Sequence, residues 1–107
     1  MSSEYNIDYT PIAKDELKEI IRYLSQFYPS TPVKFKKEMN KCLSVLESNP
    51  YLYKVYLNNP EYRQAPVSSY VVFYKISEEN PKTVKIYRIL HSARNIERIL
   101  YEYGEEI

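Results

Sequence analysis

Apolar Tyr5, Ile7 and Tyr9 alternate with polar Glu4, Asn6 and Asp8, the period-two pattern of a half-exposed strand. From Thr10-Pro11 the period lengthens. Threonine can cap a helix, proline is tolerated at its first position, and Asp15 and Glu16 lie early enough to favour the positive end of its dipole. Ala13, Leu17, Ile20, Leu24 and Phe27 form the expected buried stripe. Tyr28-Pro29 breaks that helix, and Thr31-Pro32 repeats the opening device for a second one that turns Phe35, Met39, Cys42, Leu43 and Leu46 inward. Ser48-Asn49-Pro50 ends it, and Tyr51 to Glu61 reads as a tyrosine-rich connecting loop.

The second half is strand-like. Tyr62 to Pro66 reads as a short strand whose proline limits its pairing. Tyr70 to Ile76 and Thr83 to Leu90 are rich in β-branched and aromatic residues, and the polar segment Ser77 to Lys82 between them reads as a hairpin turn. Ser92 is then placed to cap a last helix whose apolar face holds Ile96, Ile99, Leu100 and Tyr103, with Gly104, the only glycine, where a left-handed C-cap would be needed. The order is β-α-α-β-β-β-α. An antiparallel sheet packed on an N-terminal strand and helical hairpin is expected, a two-layer α+β fold.

A chain of 107 residues with 44% apolar content suits one domain, residues 1–107, with a single core. No apolar run approaches a membrane span and the N-terminus lacks a signal-peptide layout, so a cytoplasmic protein is expected. One cysteine excludes an internal disulfide, and with a single histidine there is no credible zinc cluster. Cys42 reads as a small buried hydrophobe. No cofactor is expected.

Three blocks in order, YTPIAKDELKEIIRYLS with NPY, then EYRQAPVSSYVVFYKI, then VKIYRILHSARNIERIL, resemble the RelE/ParE superfamily of bacterial type II toxins over essentially the whole chain. The last block, Arg-x-Leu-His followed by Ala-Arg-Asn and an apolar helix, is similar to the closing signature of the ParE-like branch. The resemblance implies a growth-inhibiting toxin, often of plasmid-stabilisation systems, neutralised by a cognate antitoxin. It also implies contact with operator DNA only through that antitoxin. ParE-like members block DNA gyrase, whereas RelE-like members cleave messenger RNA in the ribosomal A site.

If RNA is cleaved, the resemblance makes Arg63 and Arg88 the cations for charge developing on the phosphate. His91 is the obvious proton carrier, being the side chain that ordinarily changes charge near neutrality. Each has a second reading: Arg63 as a solvated strand residue, Arg88 as the partner of a helix carboxylate, His91 as an anchor of the turn that follows it. Arg88 and His91 also point to opposite faces if the strand runs through both. Charge favours the gyrase-directed branch, because the net charge is only +1 whereas ribosome-dependent nucleases of the superfamily are usually strongly basic. Lys34, Lys36, Lys37 and Lys41 are interrupted by Glu38, and residues 102–106 are acidic. Tyr101 and Tyr103 are possible counterparts of the C-terminal tyrosine of RelE-like nucleases, although Tyr103 fits the core better.

Thirteen tyrosines without tryptophan suit a small core and a protein interface better than base stacking. Tyr51, Tyr53, Tyr56 and Tyr62, with Arg94, are the expected surface for antitoxin or target. The primary reading is a gyrase-blocking toxin. The alternatives are a ribosome-dependent endoribonuclease and an inactive member that works only in an antitoxin–DNA repressor complex.

Overall fold

The computed structural model describes residues 4–94 and 96–103. The elements follow the expected order: β1 (Asn6–Tyr9), α1 (Pro11–Leu24), α2 (Ser30–Ser48), β2 (Arg63–Val67), β3 (Tyr70–Ser77), β4 (Thr83–His91) and α3 (Ile96–Tyr103). Thr10 caps α1 as its sequence implies, its Oγ1 accepting the Ala13 N–H at 3.1 Å, with Pro11 filling a position that needs no donor.

The four strands lie side by side in the order β1-β4-β3-β2. The β2, β3 and β4 segments are antiparallel as expected, whereas β1 joins the far edge parallel to β4, with Tyr9 level with Ile86. The sheet is therefore mixed. β2 is an edge strand, which is why Pro66 is tolerated.

One sheet face packs on α1 and α2 around Phe35, Met39, Leu46, Val72, Tyr74 and Ile86. The other carries Phe73, Leu90 and Tyr62 against Leu100 of α3, so the last helix covers part of the face opposite the helical hairpin.

Several local expectations change. Phe27 lies beyond the end of α1 and is 54% exposed, outside the stripe. The second helix begins at Ser30, with Pro29 at its cap and no side-chain capping bond, so Thr31 is already helical. Asp15 and Glu16 fall past the first turn of α1. Ser92 does not cap α3, which starts four residues later; its N–H instead bonds to the Ser69 carbonyl and ties the end of β4 to the β2–β3 turn. Asn95, Gly104 and the side chains of Tyr101, Glu102 and Tyr103 lie outside the described residues.

The alternation of Val84, Ile86, Arg88 and Leu90 on one face also fails, because β4 carries a bulge. Phe73 pairs with Arg88 but Tyr74 pairs with Ile86, leaving Tyr87 as an extra residue. Past the bulge it is Ile89 that joins Val84 and Ile86 in the helix-facing core, while Leu90 packs on the opposite side with Phe73.

Candidate functional site

Arg88 sits where β1 has ended and β4 offers an open edge to α1. Thr10 covers the first part of that edge, its N–H donating to the Ile86 carbonyl at 3.0 Å and its hydroxyl to the Tyr87 carbonyl at 2.9 Å. Glu16 closes the rest. Its Oε1 accepts the Ile89 N–H at 2.9 Å, and its Oε2 accepts Arg88 Nη2 at 2.7 Å and Nε at 3.0 Å. Arg88 is 5% exposed, so its guanidinium is enclosed and paired, the helix-carboxylate arrangement that its apolar surroundings require.

Arg63 is half-buried at the start of β2, on the helix-facing side opposite Tyr74. Its Nη1 donates to the Tyr53 carbonyl at 2.7 Å, and its guanidinium lies 5.0 Å from the centre of the Tyr51 ring. Arg63 thus shapes the loop between α2 and β2. The Tyr74 hydroxyl helps by donating to the Pro50 carbonyl at 2.6 Å, and burial pushes the Tyr74 phenol well up, keeping it a donor.

His91 is half-buried at the end of β4. Its Nδ1 accepts the Ala93 N–H at 3.0 Å and its ring meets Tyr70 edge-on at 5.1 Å, which anchors the following turn. Arg94 is exposed in that turn.

These three side chains do not converge. The strand runs through both Arg88 and His91, whose partners Phe73 and Tyr70 face opposite sides of the sheet about 10 Å apart along the strand. Arg63 shares a face with His91 but is separated from it by about 13 Å along the strand and about 10 Å across the sheet, judged from their partners Tyr74 and Tyr70.

The tyrosines divide. Tyr62 is 1% exposed, its ring meeting Tyr87 edge-on with Lys75 Nζ 4.8 Å from its centre, so it is core and presents no partner surface. Tyr56 is half-buried against Phe73. Tyr53 is half-buried beside Cys42, whose thiol burial pushes up. Tyr51 is exposed, and its hydroxyl, with that of Tyr5, donates to Glu78 Oε2. Those bonds, Tyr51's first, hold the Glu78 carboxyl below its ordinary value, and the Glu78 bond is the main cause of Tyr5 being pushed up to about 12.

Two of the surface hollows lie beside these residues. One, about 510 Å³, lies beside the β2 edge between Leu52, Tyr53 and Lys54 of the loop and Gln64, Pro66 and Val71 of the sheet. Leu52 of that lining is 63% exposed, and Leu57 of the same loop is 85% exposed. The other, about 410 Å³, lies between the tip of the helical hairpin and the β2–β3 turn. Leu52, Lys54 and Gln64 were not singled out in the sequence, where nothing brings a loop residue next to a strand ten positions away. The two-residue spacing of Ser68-Ser69 between strand segments was a usable hairpin signal for the second hollow. Among the described residues no group of three or more His, Cys, Asp or Glu is placed to hold a metal ion, and no helix is long and apolar enough to cross a membrane.

Residues 7–96 match the family model described as the ParE toxin of the type II toxin–antitoxin system parDE. No curated protein sequence matches the chain. Among solved structures, the fold is similar to the chromosomal ParDE system of P. aeruginosa, with 14% identity, TM-score 0.66, and coverage of 82% of this chain and 96% of that one. It is also similar to the RelBE2 toxin–antitoxin complex of Mycobacterium tuberculosis, with 19% identity, TM-score 0.59, and coverage of 82% and 98%. The DinJ-YafQ complex of E. coli matches at 15% identity and TM-score 0.60, covering 84% of this chain and 94% of that one. At these identities the structural likeness establishes the fold, a RelE/ParE-like α+β domain.

Proposed function

This chain belongs to the ParE toxin family of type II toxin–antitoxin systems, and from that premise we propose that it inhibits growth by binding DNA gyrase rather than by cutting RNA. The observation that carries this reading is the separation of Arg63, Arg88 and His91. Attack by a ribose hydroxyl needs a base, a cation and an acid around one phosphate. Here one of the two expected cations, Arg88, is held by Glu16 inside the fold, and His91 has one ring nitrogen occupied by the backbone of its own turn.

A toxin that works by binding needs a surface instead. The β2 edge supplies one, where exposed Leu52 lines the hollow with Pro66 and Val71, and the loop that carries Leu52 also exposes Tyr51 and Leu57. The same surface suits the cognate antitoxin, a segment of which would cover these apolar groups and keep the toxin from its target. Of the residues expected to bind a partner, Tyr53, Tyr56 and Arg94 keep exposed atoms and remain part of this proposal. Operator DNA would be contacted through the antitoxin.

Purified full-length chain added to a gyrase supercoiling reaction is expected to stop supercoiling, and Leu52→Ala or Tyr51→Ala is expected to weaken that inhibition. Unimpaired supercoiling, together with cleavage of messages in a translating extract, would overturn the proposal in favour of the ribosome-dependent nuclease. Inactivity in both assays with antitoxin binding intact would instead identify a member that works only in a repressor complex.

A further inference from the structure

The hollow at the tip of the helical hairpin gathers several hydrogen-bond donors beside a partly apolar wall. Its approximately 410 Å³ open between the first turn of α2, the β2–β3 turn and the end of β4. Ser30 and Thr31 contribute hydroxyls from the helix, and Ser68 and Ser69 contribute two more from the turn. None of these four hydroxyls bonds to another group among the described residues. Lys34, one helical turn further along α2, is exposed and forms no ion pair among the described residues. The lining includes no aspartate or glutamate.

Two groups on the sheet side add to the set. His91 accepts a backbone N–H at Nδ1, which leaves Nε2–H as the donor of the neutral ring. Tyr70 is only 8% exposed, its ring packed edge-on between Phe35 and His91, yet its hydroxyl has no partner among the described residues. Burial and the nearby Tyr23 phenol keep that hydroxyl protonated. That hydroxyl is not sealed from solvent, so a group bound in the hollow can accept its proton in place of water. The start of α2 points the same way, since its cap makes no side-chain bond and its first turn holds no acidic residue, leaving the positive end of the helix uncompensated.

We propose that this hollow binds a phosphate dianion, either free or as the phosphate of a mononucleotide. Donors arrive from three directions, from α2, from the β2–β3 turn and from β4. A tetrahedral anion can accept from all three at once, whereas a planar carboxylate offers only two oxygens. The apolar wall of Leu24 and the half-exposed ring of Tyr23 give a base a surface to lie against if the phosphate comes from a nucleotide. The site stands apart from the β2 edge and does not depend on which target the toxin engages.

The test is a titration of the isotope-labelled full-length chain with sodium phosphate and, separately, adenosine monophosphate, followed by amide chemical shifts at fixed ionic strength against sodium chloride. Saturable shifts are expected at Thr31, Lys34, Ser69 and His91. Lys34→Gln, an exposed position that the fold does not need, is expected to weaken binding about tenfold, as the loss of a charge-assisted contact implies. Tyr70→Phe, which keeps the buried ring, should weaken it severalfold. Tighter binding of the monophosphate than of inorganic phosphate would identify a nucleotide as the source, and equal binding would identify the free ion. Shifts that fail to saturate, that chloride reproduces, or that survive Lys34→Gln unchanged would overturn the site.

Discussion

The corner where β4 meets α1 and the edge formed by β2 each hold one strand arginine among apolar neighbours, and the fold uses them in opposite ways. At the corner, Arg88 is enclosed by a carboxylate that also completes the hydrogen bonding of the strand, so its charge is neutralised within the structure. At the edge, Arg63 is held by the Tyr53 carbonyl and the Tyr51 ring, so its charge organises a loop while apolar groups beside it stay exposed. The first region is closed, whereas the second leaves apolar side chains exposed, the surface proposed above for a partner. Arginines of equal standing in the sequence therefore carry different weight: one is judged by what unfolds without it, the other by what no longer binds.

The sharpest way to break this contrast is at Glu16. Glu16→Ala would strand the Arg88 charge and uncap the Ile89 N–H, and a loss of about 3–5 kcal/mol is expected in urea unfolding. The double variant Glu16→Leu/Arg88→Met should lose less than Glu16→Ala alone, because the stranded charge is what costs most. Arg63→Ala should cost only about 1–2 kcal/mol, since the partners left behind are a carbonyl and a ring near solvent, but it should weaken antitoxin binding by loosening the loop. An Arg63 variant as unstable as Glu16→Ala would erase the distinction.

His91→Ala sharpens it further. Losing one hydrogen bond and one ring contact should cost about 1–2 kcal/mol and leave growth inhibition intact. Abolished toxicity in a folded His91→Ala chain would point to proton transfer.

The smallest effect is the acid response of the loop. The Tyr51 and Tyr5 hydroxyls lower the folded Glu78 carboxyl below its ordinary 4.5, so the stabilisation is present above that value and lost as pH falls through the lowered one. Glu78→Gln should remove that part of the acid dependence of the unfolding midpoint, and an unchanged profile would show that the clasp contributes nothing.

Much of the helix-facing core was legible because local rules decide it. Thr10-Pro11 opens a helix by its own chemistry, and the inward stripe of Phe35, Met39, Cys42 and Leu46 follows from spacing alone. What could not be read depends on contacts remote in sequence. Nothing near Asn6–Tyr9 announces a parallel partner in Thr83–Ile86, and only that pairing leaves the β4 edge open where Glu16 is needed. The bulge at Tyr87 is equally silent, yet it moves Ile89 and Leu90 to the opposite faces from simple alternation. An ion pair between Arg88 and a helix carboxylate was foreseeable from burial, but which carboxylate was not. Tyr62 misleads for the same reason: a tyrosine next to a loop looks accessible until Tyr87 and Lys75 close over it.

The central claim, a toxin that binds rather than cuts, is tested most directly by inducing this chain without antitoxin in bacterial cells and pulse-labelling DNA and protein synthesis over the first minutes. DNA synthesis should fall first, with filamentation. An earlier fall in protein synthesis, with new cuts in translated messages, would contradict the account and return Arg63, Arg88 and His91 to a catalytic role.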